Sequence, residues 1–341
     1  MKFGLMTDVS AGDAGGAKGF ASAQTLQTFG DYICEAEALG FASTFLVEHH
    51  FTGNGQVSSS LSVLAYLAGR TSTMRLGTAV VVLPWHNPVL LAEQIATIDQ
   101  LSHGRFDFGV GKGYRPHEFA GFGIAAEEAP ERYEEILSFC KRAWSDRTRF
   151  NFEGEYYQFD NVVVDPPARQ SPHPPVWVGA TSEGSTVKAG RDGHRLLLDQ
   201  IAAPSLIGLR IRQYKDAAAE AGHVVSPQSV GVNRALRLVD SDDELRQAHR
   251  DRAAKLDALG AQAGKKWASF SERDGLPTLA TDDVLVDEAA LIGYPEDVVD
   301  KLKILENEGV DYVLLADFSA NQDSLRIFSE KVMPHFSEAA R

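Results

Sequence analysis

Three ionisable side chains follow one another where a short apolar segment of the chain ends. Ser43 to Val47 have the β-branched and aromatic character of a buried strand, and Glu48, His49 and His50 follow directly. Charged groups beside a buried strand are costly unless they line a polar pocket, and histidine can take up or release a proton near neutral pH. A pair of hydrogen-bonded structural histidines is the alternative interpretation. Neighbouring strand residues point to opposite faces, so the pair is a weak metal signal and no metal site is expected.

Polar residues also end four other apolar segments of the chain. They are Trp85 and His86 after residues 75–83, Lys112 after 105–110, Thr181 and Ser182 after 175–180, and Asp199 and Gln200 at the end of 195–200. Backbone N–H groups and hydroxyls at the start of the helical pattern at 181–185 suit a phosphate. N-capping by Ser182, with Ser185 three residues on, explains the same residues equally well. Lys112 lies between two glycines and could bring a positive charge to the same anion, and Trp85 could pack against a planar ring.

Eight strand-like segments alternate with helical patterns along the chain. This alternation predicts an α/β protein, a (β/α)8 TIM barrel with insertions at its C-terminal face, and a doubly wound open sheet is the competing topology. Functional residues of such a barrel lie at the C-terminal ends of the strands, where the polar residues above would meet. We expect a single domain over residues 1–341, with a hairpin excursion at 150–165 and a lid loop at 261–293, where periodicity is weak.

The composition argues against several classes of function. The 341 residues carry a formal net charge of −14 without a compensating basic cluster, which argues against nucleic-acid binding. No apolar run approaches the ~20 residues that span a bilayer, and the N-terminus lacks the apolar core of a signal peptide, so no membrane association is expected. Cys34 and Cys140 each fall in a helical pattern and are expected to be buried thiols in a reducing cytoplasm. The sequence lacks the motifs of serine hydrolases and zinc enzymes.

Long stretches of the chain resemble the bacterial luciferase-like flavin monooxygenases, and the luciferase α subunit in particular. The similarity is dense from residue 41 to residue 123 and resumes in two later blocks, so it is far more specific than a short motif. The matching segments are Val47–Thr52, Leu76–Pro84, Asp99–Gly109, Pro175–Gly179 and 293–336, with Val332-Met333-Pro334 near the end.

The resemblance implies a TIM barrel that binds FMN in its reduced form, FMNH2. A separate NAD(P)H:FMN reductase is the expected partner, because it would supply the reduced flavin. With O2, such an enzyme oxidises a small-molecule organic substrate, and a homodimer is the expected assembly. By position, His49 matches the catalytic histidine of the family.

The resemblance also assigns residues to the flavin. Thr78, Ala79 and Val80 match a segment that carries a non-proline cis peptide beside the flavin ring. Lys112 takes the place of a phosphate-binding arginine, and Arg132 matches a second one. The polar residues on the phosphate side are Thr181, Ser182 and Ser185.

Some residues depart from the pattern of the luciferase α subunit. Gly111 stands in place of a reactive cysteine, and Thr181 in place of a glutamate. Asp199 and Gln200 replace less charged residues on the substrate side, which favours a more polar substrate than a long-chain aldehyde.

The substrate side of the pocket is also expected to include Glu48 and Trp85. The leading interpretation is a two-component FMNH2-dependent monooxygenase. A deazaflavin-dependent oxidoreductase on the same barrel and a non-catalytic flavin-binding protein are the alternatives.

Overall fold

The structure is a computed structural model that describes residues 1–8, 26–53, 56–262, 288–317 and 321–337. Eight parallel strands close a barrel, in the order β1–β2–β3–β5–β8–β9–β10–β12, and β12 pairs again with β1. The predicted TIM barrel is therefore confirmed. Numbered along the chain, the eight strands are β1 Lys2–Thr7, β2 Ser43–Leu46, β3 Arg75–Thr78, β5 Phe106–Gly111, β8 Val176–Ala180, β9 Arg195–Leu198, β10 Val230–Leu238 and β12 Tyr312–Asp317.

Helices surround the barrel, and short strands extend it. The additional strands are β4 Val81–Val82, β6 Phe150–Glu153, β7 Gln158–Val162 and β11 Ala290–Gly293. The helices are α1 Leu26–Ala38, α2 Ser60–Ala68, α3 Pro88–Leu101, α4 Pro116–Phe122, α5 Ala129–Asp146, α6 Glu183–Arg191, α7 Pro204–Glu220, α8 Asp242–Gln262, α9 Pro295–Asn307 and α10 Gln322–Lys331. Within the described ranges, no helix is long and apolar enough to cross a membrane.

The middle of the barrel interior is apolar. A buried cluster fills it, made of Phe45, Trp177, Leu197, Tyr312 and Leu314. Met6, Ala79 and Val80 pack on this cluster and remain partly exposed. Each of these three residues lies near or just beyond the C-terminal end of its strand, so together they form an apolar surface, here called the floor, that faces the mouth of the barrel.

Charged side chains close the opposite, N-terminal end of the barrel. Asp107 on β5 accepts from Arg75 on β3, with Nε 2.6 Å from Oδ2, and its Oδ1 lies 3.5 Å from Arg195 on β9. The Arg195 guanidinium also lies 5.2 Å from the ring centre of Trp177. We call the three residues Arg75, Asp107 and Arg195 the plug.

Local chemistry fixes the turn that carries Trp85 and His86. The Asn87 side chain accepts hydrogen bonds from the backbone N–H groups of Val89 and Leu90, at 3.0 and 3.2 Å. Pro88 occupies the first turn of α3, where a missing N–H costs nothing. The short turn between β4 and α3 is therefore held in place at the mouth.

The segment predicted as a lid differs in part from its prediction. Helix α8 continues to Gln262, and residues 290–293 form the buried strand β11. β11 pairs with the second half of β10, in register from Ala235 opposite Ala290 to Leu238 opposite Gly293. The apolar side chains of this segment and the open edge of β10 explain why it forms a strand. Residues 263–287 of the predicted lid lie outside the described residues.

Residues 150–162 form an antiparallel pair, β6 with β7, beside α5. The Glu135 carboxylate on α5 accepts from the backbone N–H groups of Glu155, Tyr156 and Tyr157, which fixes the turn of the hairpin. The organisation of residues 1–341 as a single domain stays a prediction.

Candidate active site at the mouth of the barrel

The Glu48 carboxylate is the centre of one hydrogen-bonded cluster. It is 4% exposed, and its Oε1 lies 3.1 Å from His50 Nε2 and 2.8 Å from His86 Nε2. The backbone N–H of Val82 donates to Oε2 at 2.7 Å. Burial raises the pKa of Glu48, but these hydrogen bonds outweigh burial and bring the pKa to about 2. Because both oxygens are engaged, the geometry gives Glu48 a positioning role toward the two histidines.

His49 belongs to a second cluster, centred on Glu118 of α4. Its Nδ1 lies 3.2 Å from Glu118 Oε1, and the same oxygen accepts from the backbone N–H of His50 at 2.9 Å. The Arg115 guanidinium adds a positive charge, with Nη1 3.8 Å from Glu118 Oε1. Burial raises the pKa of Glu118, whereas the bonds from His49 and His50 lower it, and the net direction is downward. An ionised carboxylate can only accept, so Nδ1 of His49 carries a proton and Nε2 is left to exchange one.

Sequence reasoning missed Glu118. The helix that carries it has seven residues, too few for a clear apolar period, and its contact with His49 spans 69 positions of the chain. The Pro116 that opens this helix was the only local signal available.

An aromatic wall lies beside the two histidines. Trp85 stacks on Phe122, with ring centres 5.1 Å apart and planes at 16°, and meets Phe119 edge to face at 5.8 Å. The ring centre of His50 lies 4.8 Å from that of Phe122 and 5.4 Å from that of Trp85. Trp85 Nε1 is buried without a hydrogen-bond partner among the described residues. The predicted ring-packing role of Trp85 is thus accompanied by two phenylalanines of α4 that the sequence analysis did not single out.

The floor of the mouth owes its shape to one backbone feature and to glycines. The Ala79–Val80 peptide bond is cis, as the resemblance implies, and Thr78 holds the adjoining strand through Oγ1, which donates to Gly109 O at 2.7 Å. A Cβ placed on Gly111 would lie 2.5 Å from Val80 Cγ2, so β5 needs a glycine there. The side chain of Val80 therefore occupies the space that a larger residue at position 111 would take.

Lys112 is an exposed cation at the mouth. Its Nζ lies 5.4 Å from the ring centre of Tyr133, at the start of α5. Val110 of β5 is paired with Val178 of β8, so Lys112 and the 181–185 segment leave the barrel on neighbouring strands. A groove of about 300 Å³ borders Lys112 and is otherwise lined by Gly113, Tyr114, Pro116, Phe119, Ala126, Ala129 and Pro130.

Three of the other predicted phosphate residues, Arg132, Ser182 and Ser185, have partners within the protein, and Thr181 is exposed just before α6. Arg132 donates to Glu128, with Nε 2.7 Å from Oε2, and its guanidinium lies 4.3 Å from the ring centre of Tyr156. Ser182 and Ser185 form a capping box at the start of α6, with the hydroxyls 2.9 Å apart. The N-capping interpretation is therefore realised, and a phosphate contact by these residues stays a prediction.

Asp199 and Gln200 hold the loop after β9. Asp199 Oδ1 accepts from the backbone N–H groups of Ile201 and Ala202, both at 2.9 Å. Gln200 accepts from the buried Arg252 through its side-chain oxygen at 2.7 Å and through its carbonyl at 3.1 Å. The structure gives both side chains a role in this loop, so a contact with substrate stays a prediction.

The residues at the mouth fit a flavin. The apolar floor matches a flat ring, the exposed ammonium group of Lys112 matches a phosphate, and His49 adds a group that can move a proton. A (β/α)8 barrel with this arrangement at its C-terminal mouth has the layout of a barrel enzyme.

Residues 1–312 match the luciferase-like monooxygenase family, and the chain belongs to that family. It is 28% identical to the FMNH2-dependent dimethylsulfone monooxygenase of Pseudomonas putida over 315 residues, which cover 88% of this chain and 85% of that protein. It is 27% identical to the oxygenase component of the flavin-dependent trigonelline monooxygenase of Acinetobacter baylyi, over 90% of this chain and 89% of that protein. A match to the uncharacterized protein y4vJ of Sinorhizobium fredii is 32% identical and covers 66% of this chain but only 64% of y4vJ.

Solved structures share the whole fold. The monooxygenase RslO1 from Streptomyces bottropensis superposes with a TM-score of 0.80 at 26% identity, over 99% of this chain and 100% of that one. An F420-dependent secondary alcohol dehydrogenase superposes with a TM-score of 0.78 at 17% identity, over 99% of each chain, which shows the fold alone.

Proposed function

We propose that this chain is the oxygenase component of a two-component flavin monooxygenase. It would take FMNH2 from a separate NAD(P)H:FMN reductase and use O2 to oxidise a small organic substrate. The observation that carries the proposal is the pairing of an apolar floor, Met6, Ala79 and Val80, with the His49–Glu118 dyad at the same mouth. The names of the relatives from Pseudomonas putida and Acinetobacter baylyi support this choice of cofactor and of a two-component system.

The roles of the residues follow from their contacts. Bound reduced flavin would supply the electrons that activate O2. His49, with its proton fixed on Nδ1 by Glu118, would move a proton at Nε2 next to the reacting centre. Trp85, Phe119 and Phe122 would exclude water on that side, which favours oxidation of substrate over release of hydrogen peroxide. Lys112 would bind the flavin phosphate, because it is a cation with no carboxylate partner in the described part of the chain.

The substrate is proposed only as a small organic molecule. Asp199 and Gln200 favour a polar substrate in the sequence, but in the structure both are engaged within the protein. The Asp199 side chain accepts from its own loop, and the Gln200 side chain accepts from Arg252 of α8. A homodimer in the cytoplasm completes the proposal.

A deazaflavin-dependent oxidoreductase is the second candidate, because an F420-dependent dehydrogenase has the same fold. Anaerobic titration with FMNH2 and with reduced F420, followed by admission of O2, separates the candidates. We expect tight binding of FMNH2 and rapid reoxidation by O2. Preferential binding of reduced F420 would overturn the proposal, and flavin binding without faster reoxidation than in free solution would favour a non-catalytic flavin carrier.

A further inference from the structure

Asn233 carries a buried amide inside the barrel whose side-chain oxygen is left unsatisfied by the described residues. The residue is 8% exposed, and its Oδ1 has no hydrogen-bond partner in the described part of the chain. A buried amide oxygen without a partner lowers the stability of the folded protein, because it has lost its water and gained nothing. Such a group in a barrel interior points to a bound partner beyond the described part of the chain.

The position of Asn233 on β10 shows which way its side chain points. Gly231 precedes it by two residues, so the two share one face of the strand. A Cβ on Gly231 would lie 3.1 Å from Leu314, 3.2 Å from Leu197 and 3.5 Å from Trp177, which are all members of the interior cluster. Asn233 therefore faces the barrel interior, one step nearer the mouth than Gly231 and in register with Leu314 of the interior cluster on the neighbouring strand.

The barrel places Asn233 across from Ala79 and Val80 of the floor. In the closed order of eight strands, β10 is four strands away from β3, which is the opposite side of the barrel. Ala79 and Val80 follow β3. A flat ring that rests on these two residues thus directs one edge toward Asn233.

The chemistry of a carboxamide selects the edge that it would meet. It offers an acceptor oxygen and a donor NH2 side by side and carries no charge. A –CO–NH–CO– edge presents the complementary donor and acceptor, in the way that asparagine pairs with a base edge in nucleic acids. The isoalloxazine ring of a flavin has one such edge, and the deazaflavin ring has the same one.

We propose that Asn233 binds the –CO–NH–CO– edge of the flavin ring, with Oδ1 accepting from the ring N3–H and the NH2 group donating to an adjacent ring carbonyl. The inference rests on the proposed flavin site and names the residue that would orient the ring within it. It holds for FMN and for a deazaflavin alike.

The test compares two ligands and two variants without measuring turnover. FMN and N3-methyl-FMN, which lacks the N3–H donor, are titrated into wild type and Asn233→Leu, and binding is followed by quenching of flavin fluorescence. Wild type should bind FMN about tenfold more tightly than the methylated flavin, and Asn233→Leu should lose this preference and bind FMN about tenfold more weakly. The same variant without ligand should melt at a higher temperature, because an unsatisfied amide has been removed.

Thr44→Val is the matched control. Thr44 Oγ1 is also buried without a partner among the described residues, but Thr44 alternates with Phe45 and faces away from the barrel interior. This variant should gain stability and bind both flavins as wild type does. Asn233→Ala serves in case the leucine does not fit.

The outcomes separate the inference from the proposed function. If wild type binds no flavin, the proposed function fails. If wild type binds both flavins equally, or if Asn233→Leu and Asn233→Ala bind FMN as tightly as wild type, the inference about Asn233 alone is overturned.

Discussion

Glu118→Gln isolates the charge of the carboxylate that holds His49. In the native protein Glu118 Oε1 lies 3.2 Å from His49 Nδ1 and 2.9 Å from the backbone nitrogen of His50. If the proton moved to Nε2, the ring would lose a charge-assisted hydrogen bond of ~1.5–3 kcal/mol. That energy corresponds to a preference for the Nδ1–H tautomer of roughly ten- to hundredfold. Glutamine leaves a neutral bond of ~0.5–1.5 kcal/mol and can also turn its NH2 group toward the ring, so the two tautomers of His49 should become mixed.

Long-range 1H–15N spectra of protein labelled at its histidines report which ring nitrogen carries the proton, and they require no substrate. His50 is an internal control, because it bonds through Nε2 to Glu48 and should keep the Nε2–H tautomer in the Glu118→Gln protein. Glu48→Gln is the reciprocal variant and should disturb His50 and His86 while His49 stays unchanged. The reasoning is refuted if His49 carries its proton on Nε2 in the native protein, or if its tautomer is unaffected by Glu118→Gln.

Three further predictions concern the cofactor, the floor and acid stability. Lys112→Ala should weaken FMN binding by roughly tenfold and leave riboflavin binding unchanged. Lys303→Ala, at an exposed lysine of α9, is the control and should affect the binding of neither flavin. Equal losses for both flavins in Lys112→Ala would show that Lys112 does not bind the phosphate. Gly111→Ala should lower the free energy of unfolding by ~1–3 kcal/mol, because its Cβ would lie 2.5 Å from Val80 Cγ2. Gly179→Ala, whose Cβ would lie 3.4 Å from Val80 Cγ1, is the matched control, and urea unfolding that ranks the two variants alike would contradict this account of the floor. Burial and the nearby Lys141 lower the pKa of His194 to about 4. As the pH falls from about 6.5 toward 4, the unfolded chain therefore binds a proton that the folded chain does not, and this lowers the stability of the folded protein. Between pH 7 and pH 5 the free energy of unfolding should therefore fall less in His194→Gln than in wild type. The difference between the two proteins grows as the pH falls and reaches ~3 kcal/mol at the low-pH limit. Identical pH dependence in both proteins would show that His194 is not the cause.

The barrel could be predicted because its signals are local. Each strand is an apolar run of a few residues, and many of the helices start at a proline or a capping side chain, such as Asn87 before α3 and Ser182 before α6. The capping box at Ser182 and Ser185 needs only four consecutive residues, so the sequence contains all of its information. β11 was missed because its four residues become a strand only when the edge of β10 is there to pair with them.

The candidate site could be predicted in its residue types but less well in its contacts. His49, Glu48 and Trp85 were identified from their place after apolar strands. The partners that define their roles come from distant parts of the chain, such as His86 for Glu48 and Glu118 for His49. No local pattern indicates that Glu48 has no free oxygen or that Gln200 is bound by Arg252, because both facts depend on tertiary packing.

The plug has a consequence for the order of events at the site. Arg75, Asp107 and Arg195 close the N-terminal end of the barrel, and the interior cluster fills the space above them. Any molecule that reaches the floor must arrive and depart through the same opening. A ligand that lies on the floor is then the first to enter and the last to leave. A molecule that reacts with it must bind after it and on its mouth side. In the proposed two-component system, a partner that delivers this deepest ligand must leave the opening before the next molecule can enter, so delivery and turnover would alternate in time.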